Sequence, residues 1–130
     1  MKRYLLLAFI LIVPFIYSCA SDEKVMVAAG KDYSDPAVLK ELIESGGEYH
    51  LVDVRTPEEY GSGYIPTAVN IPLSTIAENP PAEDKDALII LYCRSGNRSG
   101  QAQSILRELG YTNVRNFGGI IDWPYETVTD

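Results

Sequence analysis

Residues 87–92, Ala87-Leu88-Ile89-Ile90-Leu91-Tyr92, form the most apolar run of the region that follows residue 31. Polar and apolar positions do not alternate along it. A strand buried on both faces reads this way, because a parallel sheet covered by helices has no wet face. The next seven residues, Cys93-Arg94-Ser95-Gly96-Asn97-Arg98-Ser99, change character completely. A helical pattern then runs from about Arg98 to Leu109, with Ile105, Leu106 and Leu109 expected on the core side and Gly110 as its stop. A buried strand, a short loop and a helix in succession set the fold class.

The same alternation extends outward. Ser34-Asp35-Pro36 pairs a capping side chain with a proline suited to the first helical turn, Val38, Leu39, Leu42 and Ile43 recur at helical spacing, and Gly46-Gly47 ends the run. Tyr49 to Val54 reads as a short strand, and Thr56-Pro57-Glu58-Glu59-Tyr60 repeats the cap-proline-acid start of a helix that Gly61 and Gly63 cut short. Ala68 to Ile71 is a second short strand, Leu73 to Ala77 is expected to form another short helix, and Pro80-Pro81 breaks the chain. Val114 to Phe117 is a further strand, followed by Gly118-Gly119 and Ile120 to Trp123. Strands alternating with helices predict an α/β fold: a mainly parallel central sheet with helices on both faces, spanning 32–130.

The chain has 130 residues, enough for one domain. Its 11 basic and 18 acidic residues give a net charge of −7, which argues against nucleic acid as a partner. Two cysteines and one histidine cannot by themselves supply a four-ligand structural zinc site or a disulfide framework.

The N-terminus reads as an address. Lys2 and Arg3 precede an uncharged apolar stretch from Tyr4 to Tyr17, short for a membrane span and suited to a secretory core region. It ends in Ile16-Tyr17-Ser18-Cys19, which resembles a bacterial lipobox. Residues 1–18 are therefore expected to be a lipoprotein signal peptide, with Cys19 the lipidated first mature residue. Residues 19–31 are expected to be a tether. Loss of Lys2 and Arg3 leaves nine basic against 18 acidic residues, a side-chain charge of −9. The product is expected to be exported and anchored to the cell envelope on its periplasmic or surface face. Cys93 then has no disulfide partner, and a lone thiol outside the reducing cytosol asks for a chemical reason.

The loop supplies one. Sites in open α/β sheets form at the carboxyl ends of strands. A loop wrapped over a helix N-terminus turns several backbone N–H groups inward as an anion nest, and Gly96 permits the curvature. Such a nest lowers a thiol pKa and holds the nucleophilic thiolate. Arg94 and Arg98 reverse the local charge of an acidic chain and point to a small anionic substrate. A single cysteine after an apolar strand is more often inert; the glycine, the arginines and the helix start turn the reading toward reactivity.

Five ordered segments then resemble the rhodanese-homology family of single-domain sulfurtransferases. They are Asp53 to Tyr60, Gly63 to Ala68 with Asn70-Ile71-Pro72, Tyr92 to Ser99, Gly110 to Val114, and Gly118 to Trp123. The resemblance implies that Cys93 accepts a sulfane sulfur from a donor such as thiosulfate, becomes a persulfide, and passes the sulfur to cyanide or a thiol. It implies binding of the donor by Arg94, Ser95, Gly96, Asn97, Arg98 and Ser99, with Asp53 and Arg55 supporting the site or anchoring the loop as an ion pair. No metal or organic cofactor is expected, and a monomer is expected. The family usually carries His and Gly where this chain has Tyr64 and Thr67.

Other readings stay open here. The same fold could serve as a persulfide carrier or redox-sensing module for a protein partner. A cysteine phosphatase or arsenate reductase is disfavoured by loop length, since four residues separate Cys93 from Arg98 where a phosphatase loop encloses five. His50 opens a strand and reads as a surface or packing residue, and Trp123 as a core anchor.

Overall fold

A computed structural model describes residues 30–130 of the chain. The expected signal peptide of residues 1–18, Cys19 and most of the tether lie outside the described residues. The elements are α1 (Pro36–Ser45), β1 (His50–Asp53), α2 (Pro57–Gly61), β2 (Val69–Asn70), β3 (Ile89–Cys93), α3 (Asn97–Glu108), β4 (Val114–Gly119) and a closing 3₁₀ turn (Ile120–Asp122).

The four strands form one sheet in the order β2-β1-β3-β4, with every pair parallel. β3 is central and buried throughout. Alternation along the strands sorts the core into two layers. Leu51, Ile90 and Tyr92 pack on one face with Leu39 of α1, Phe117 and Trp123. Val52, Ile89, Leu91 and Cys93 pack on the other with Ala102 and Leu106 of α3. Helices thus cover both faces, as the unbroken apolar run of β3 requires.

The helix ends are set by local chemistry. The Asp35 carboxylate accepts the Ala37 N–H at 2.8 Å, Pro36 fills the first turn, and Gly46 closes α1 with φ +68°. Thr56 and Glu59 form a reciprocal capping box on α2, leaving fewer amide groups of that short helix unpaired.

Two expectations fail for physical reasons. Residues 73–77 form turns rather than a helix. Thr75 N–H donates to Pro72 and Asn79 N–H to Thr75, so the segment makes successive turns, and Pro80 disfavours helical backbone at Asn79. Leu109 is 41% exposed. α3 stops at Glu108, where Gly110 N–H bonds Arg107 and Tyr111 N–H bonds Leu106. That turn buries Tyr111 against the layer that holds Leu106, in the place expected for Leu109.

The carboxyl ends of the strands are tied by one buried ion pair. Arg55 Nε donates to both Asp53 oxygens at 3.0 and 2.9 Å, and Nη2 donates to Oδ2 at 2.6 Å and to the Gly63 carbonyl at 2.7 Å. Asp53 is fully buried and Arg55 is 6% exposed. The guanidinium lies 5.9 Å from the Tyr92 ring centroid, and the Tyr92 hydroxyl accepts Ile65 N–H at 3.1 Å. Asn70 Nδ2 reaches the carbonyls of both Asp53 and Arg55. β1, β2, β3 and the turn at 63–65 therefore share one polar knot.

Removing one charge of a buried pair leaves the other uncompensated. Asp53→Ala is expected to destabilise the fold by about 3–5 kcal/mol. The paired change Asp53→Leu with Arg55→Met, which removes both charges, is expected to cost less. Urea unfolding followed by fluorescence of Trp123, the single tryptophan, checks both. Asp53→Ala within about 1 kcal/mol of the parent would show that the pair does not hold the knot.

Candidate active site

Cys93 is the last residue of β3, and Gly96 caps the N-terminus of α3. The loop between them curls over the sulfur. Gly96 N–H donates to Cys93 Sγ at 3.0 Å, and the Ser99 hydroxyl lies 3.5 Å from it. The Ser99 hydroxyl also lies 3.0 Å from the Gly96 carbonyl and 3.2 Å from that of Gly118, and its single proton can serve only one of these acceptors at a time. The sulfur occupies the floor of this ring, with Cys93 only 1% exposed.

Burial pushes the Cys93 thiol up. The Ser99 hydroxyl and the N–H groups of Ser99, Gly96 and Ser95 outweigh it, so the net direction is down. The free end of α3 adds its dipole in the same sense.

The loop keeps its curvature because another backbone lies directly under it. β3 pairs with β4 so that Tyr92 faces Gly118 and Cys93 faces Gly119. A bulge between Leu91 and Tyr92 takes Phe117 out of the register, and Phe117 is buried in the α1-side layer. A Cβ on Gly119 would sit 2.2 Å from the Arg94 carbonyl oxygen and 2.7 Å from Ser95 Cα, so position 119 admits only hydrogen. Ile121 N–H then donates to that same Arg94 carbonyl at 3.3 Å. Gly96 itself has φ +102°, a region that L side chains rarely adopt.

The sequence-predicted residues separate into distinct positions. The side chains of Arg94 and Ser95 are exposed at the rim, and Arg94 has no ion-pair partner among the described residues. Asn97 is turned along the helix, where its Oδ1 accepts from Gln101 at 3.2 Å. Ser99 is fully buried beneath the sulfur. Arg98 does not stand as a free cation: its Nη1 donates to Glu59 Oε1 at 2.7 Å and its Nη2 to Oε2 at 3.0 Å. The Arg98 guanidinium holds Glu59 down to about 2, with help from Thr56 and against burial. Asp53 and Arg55 form the knot described above and hydrogen-bond to none of the loop side chains.

Glu59 and Gly119 are the site residues that the sequence alone did not single out. Glu59 lies in a helix-start pattern and in the first segment of the family resemblance, but neither points to its partner 39 residues later. Gly119 lay in a glycine pair whose function depends on the β3–β4 register.

The two positions that differ from the family pattern take structural roles. Tyr64 stacks on Tyr60 with centroids 4.1 Å apart and planes 9° apart. Its hydroxyl donates to Asp130 Oδ1 at 2.6 Å, and its backbone pairs with Val128, so it clamps the C-terminal end. Thr67 has φ +73°, the left-handed region glycine enters freely and a β-branched residue rarely does. Its hydroxyl pairs with that of Tyr49 at 2.9 Å. Among the described residues, no three His, Cys, Asp or Glu side chains converge as metal ligands would.

The chain is similar to known proteins in sequence and fold. The rhodanese-like domain family matches residues 35–124. Thiosulfate sulfurtransferase PspE of Escherichia coli (strain K12) is 44% identical over 75 residues, covering 56% of this chain and 72% of that protein. The human thiosulfate:glutathione sulfurtransferase is 37% identical over 97 residues, covering 62% and 82%. A solved rhodanese with anions from E. coli superposes with a TM-score of 0.55 at 42% identity, covering 63% of this chain and 99% of that one. With its parallel sheet, its cysteine loop and these matches taken together, the chain belongs to the rhodanese-like domain family.

Proposed function

We propose that the protein is a sulfurtransferase that moves a sulfane sulfur through a persulfide on Cys93. The observation that carries this reading is the Cys93 sulfur set on the floor of a ring of N–H and O–H donors, with its pKa lowered. The thiolate attacks the outer sulfur of thiosulfate. A bond forms between Sγ and that sulfur, the bond to the sulfonate sulfur breaks, and sulfite leaves with the electron pair. The resulting persulfide carries one negative charge on its terminal sulfur, which the same donors can hold. Attack by cyanide or a thiolate acceptor on that terminal sulfur returns the Cys93 thiolate. Exposed Arg94 attracts the anionic donor. Near-complete burial of Sγ favours transfer of a single atom over attack on a larger centre.

Intact mass of the full chain, purified in detergent, tests this. Thiosulfate is expected to add one sulfur atom, cyanide to remove it as thiocyanate, and Cys93→Ser to take up none. No gain on a Cys93 that still reacts with an alkylating agent would reject thiosulfate as donor and favour a carrier loaded by a protein partner.

A lowered thiol pKa places the thiolate plateau below the ordinary thiol range. The rate of persulfide formation is expected to rise with pH and level off at a lower pH than for a free thiol. Ser99→Ala removes one donor to the thiolate and is expected to move the midpoint upward. An unmoved midpoint would mean that the hydroxyl does not stabilise the thiolate.

We also propose that Cys19 is lipidated and holds the domain on the cell envelope as an exported protein. Lys2, Arg3, the apolar run and Ile16-Tyr17-Ser18-Cys19 support this. In a bacterial host the chain is expected in the membrane fraction and Cys19→Ser in the soluble one. Retention of Cys19→Ser in the membrane would reject the lipid anchor.

A further inference from the structure

The two arginines of the loop are not electrically equivalent. Arg94 is exposed and without a carboxylate partner among the described residues. Arg98 is locked fork to fork with Glu59, and both side chains are 33% exposed. Glu59 is itself held from the other side, where Thr56 N–H and its hydroxyl reach Oε1 at 3.4 and 3.2 Å. The carboxylate is therefore fixed by its own helix start as well as by Arg98. Its lowered pKa keeps it ionised through the neutral range. Arg98 sits in the first turn of α3, directly after the loop that closes over Cys93. The rim consequently offers a donor one uncompensated positive charge instead of two.

We propose that Glu59 is a specificity-determining residue: by cancelling the charge of Arg98, it sets the site for sulfane donors that carry one negative charge and against a second. This rests on the sulfur-transfer reading above and names the charge of the donor. A thiosulfonate, R–SO₂–S⁻, is a donor of that charge. The Cys93 thiolate forms a bond to the terminal sulfur, the S–S bond of the donor breaks, and a sulfinate, R–SO₂⁻, leaves with the electron pair. No oxidant or reductant is needed, and charge balances on both sides. Thiosulfate undergoes the same step but brings one more negative charge to the rim, so its rate is the more sensitive to a freed guanidinium. Glu59 acts through Arg98 and touches no reacting atom.

The test compares two donors on the full chain in detergent. Second-order rates of persulfide formation are measured by quenched intact mass with thiosulfate and with methanethiosulfonate. The readout is the ratio of the two rates, thiosulfate over methanethiosulfonate. A charge on a rim arginine several ångströms from the donor predicts that Glu59→Gln raises this ratio by about three- to tenfold at low salt, and less at high salt. Gln keeps the oxygen that serves the capping box. Arg98→Gln leaves Glu59 unbalanced and is expected to lower the ratio, which preserves the test if Glu59→Gln fails to fold. The double change Glu59→Gln with Arg98→Gln removes both charges and is expected to restore the parental ratio. A ratio that stays constant in both single variants, with both donors still loading Cys93, would reduce the pair to a staple between α2 and α3 and overturn the proposal. If neither donor loads Cys93 in the parent chain, the sulfur-transfer reading falls first and this inference with it.

Discussion

The loop over Cys93 depends on a contact between two backbones. Gly119 lies so close beneath Arg94 and Ser95 that a single added carbon would overlap the Arg94 carbonyl. The contact follows from the register of β3 and β4, which sets Cys93 beside Gly119 after the bulge at Phe117. It fixes where the Arg94 carbonyl lies, and Ile121 N–H also bonds that carbonyl. With the first peptide of the loop held away from the sulfur, the later ones turn their N–H groups toward it. The backbone part of the donor ring around Sγ is thus a consequence of strand pairing, and the Ser99 hydroxyl completes it.

Charge is managed in two tiers around that ring. Asp53 and Arg55 are buried under the strand ends and complete each other's bonding, so their charges contribute positioning and little outward field. Glu59 and Arg98 sit at intermediate depth, still opposed but near enough to solvent to influence an approaching ion. Arg94 alone projects a net charge from the loop. In a chain with a net charge of −7, the attraction of an anion is therefore local and short in range. That arrangement suits a small donor that must reach the rim, and gives little long-range pull on a large polyanion.

Much of this was legible in the sequence, and the boundary is physical. β3 announced itself because a strand covered on both faces has no polar alternation, and α1 because Asp35, Pro36 and Gly46 each satisfy a backbone requirement within a few residues of its ends. The nest around Cys93 was legible because Cys93, Gly96 and the start of α3 are adjacent in the chain. The Glu59–Arg98 pair was hidden because its members are distant in sequence, and helix-start chemistry already accounted for Glu59. Leu109 had the right spacing to face the core, but the turn at Gly110 brought Tyr111 there instead. Residues 73–77 match α2 in length but lack the capping box that starts it, and they form turns between Pro72 and Pro80.

Thr67 shows how the domain tolerates a departure from its family's pattern. The turn between Ile65 and Ala68, closed by Ala68 N–H on the Ile65 carbonyl at 3.0 Å, requires a positive φ at position 67. Glycine meets that requirement without strain, whereas threonine meets it at a cost on the order of 1–3 kcal/mol. The surroundings over-determine the turn: Ile65 and Ala68 are buried on either side, Ile65 N–H is fixed on Tyr92, and Gly63 is held by Arg55. The Thr67 hydroxyl then gains a partner in Tyr49 that glycine would lack. The strain is borne by the same polar knot that orders the strand ends, so a local backbone irregularity is carried at a distance from the loop that holds Cys93.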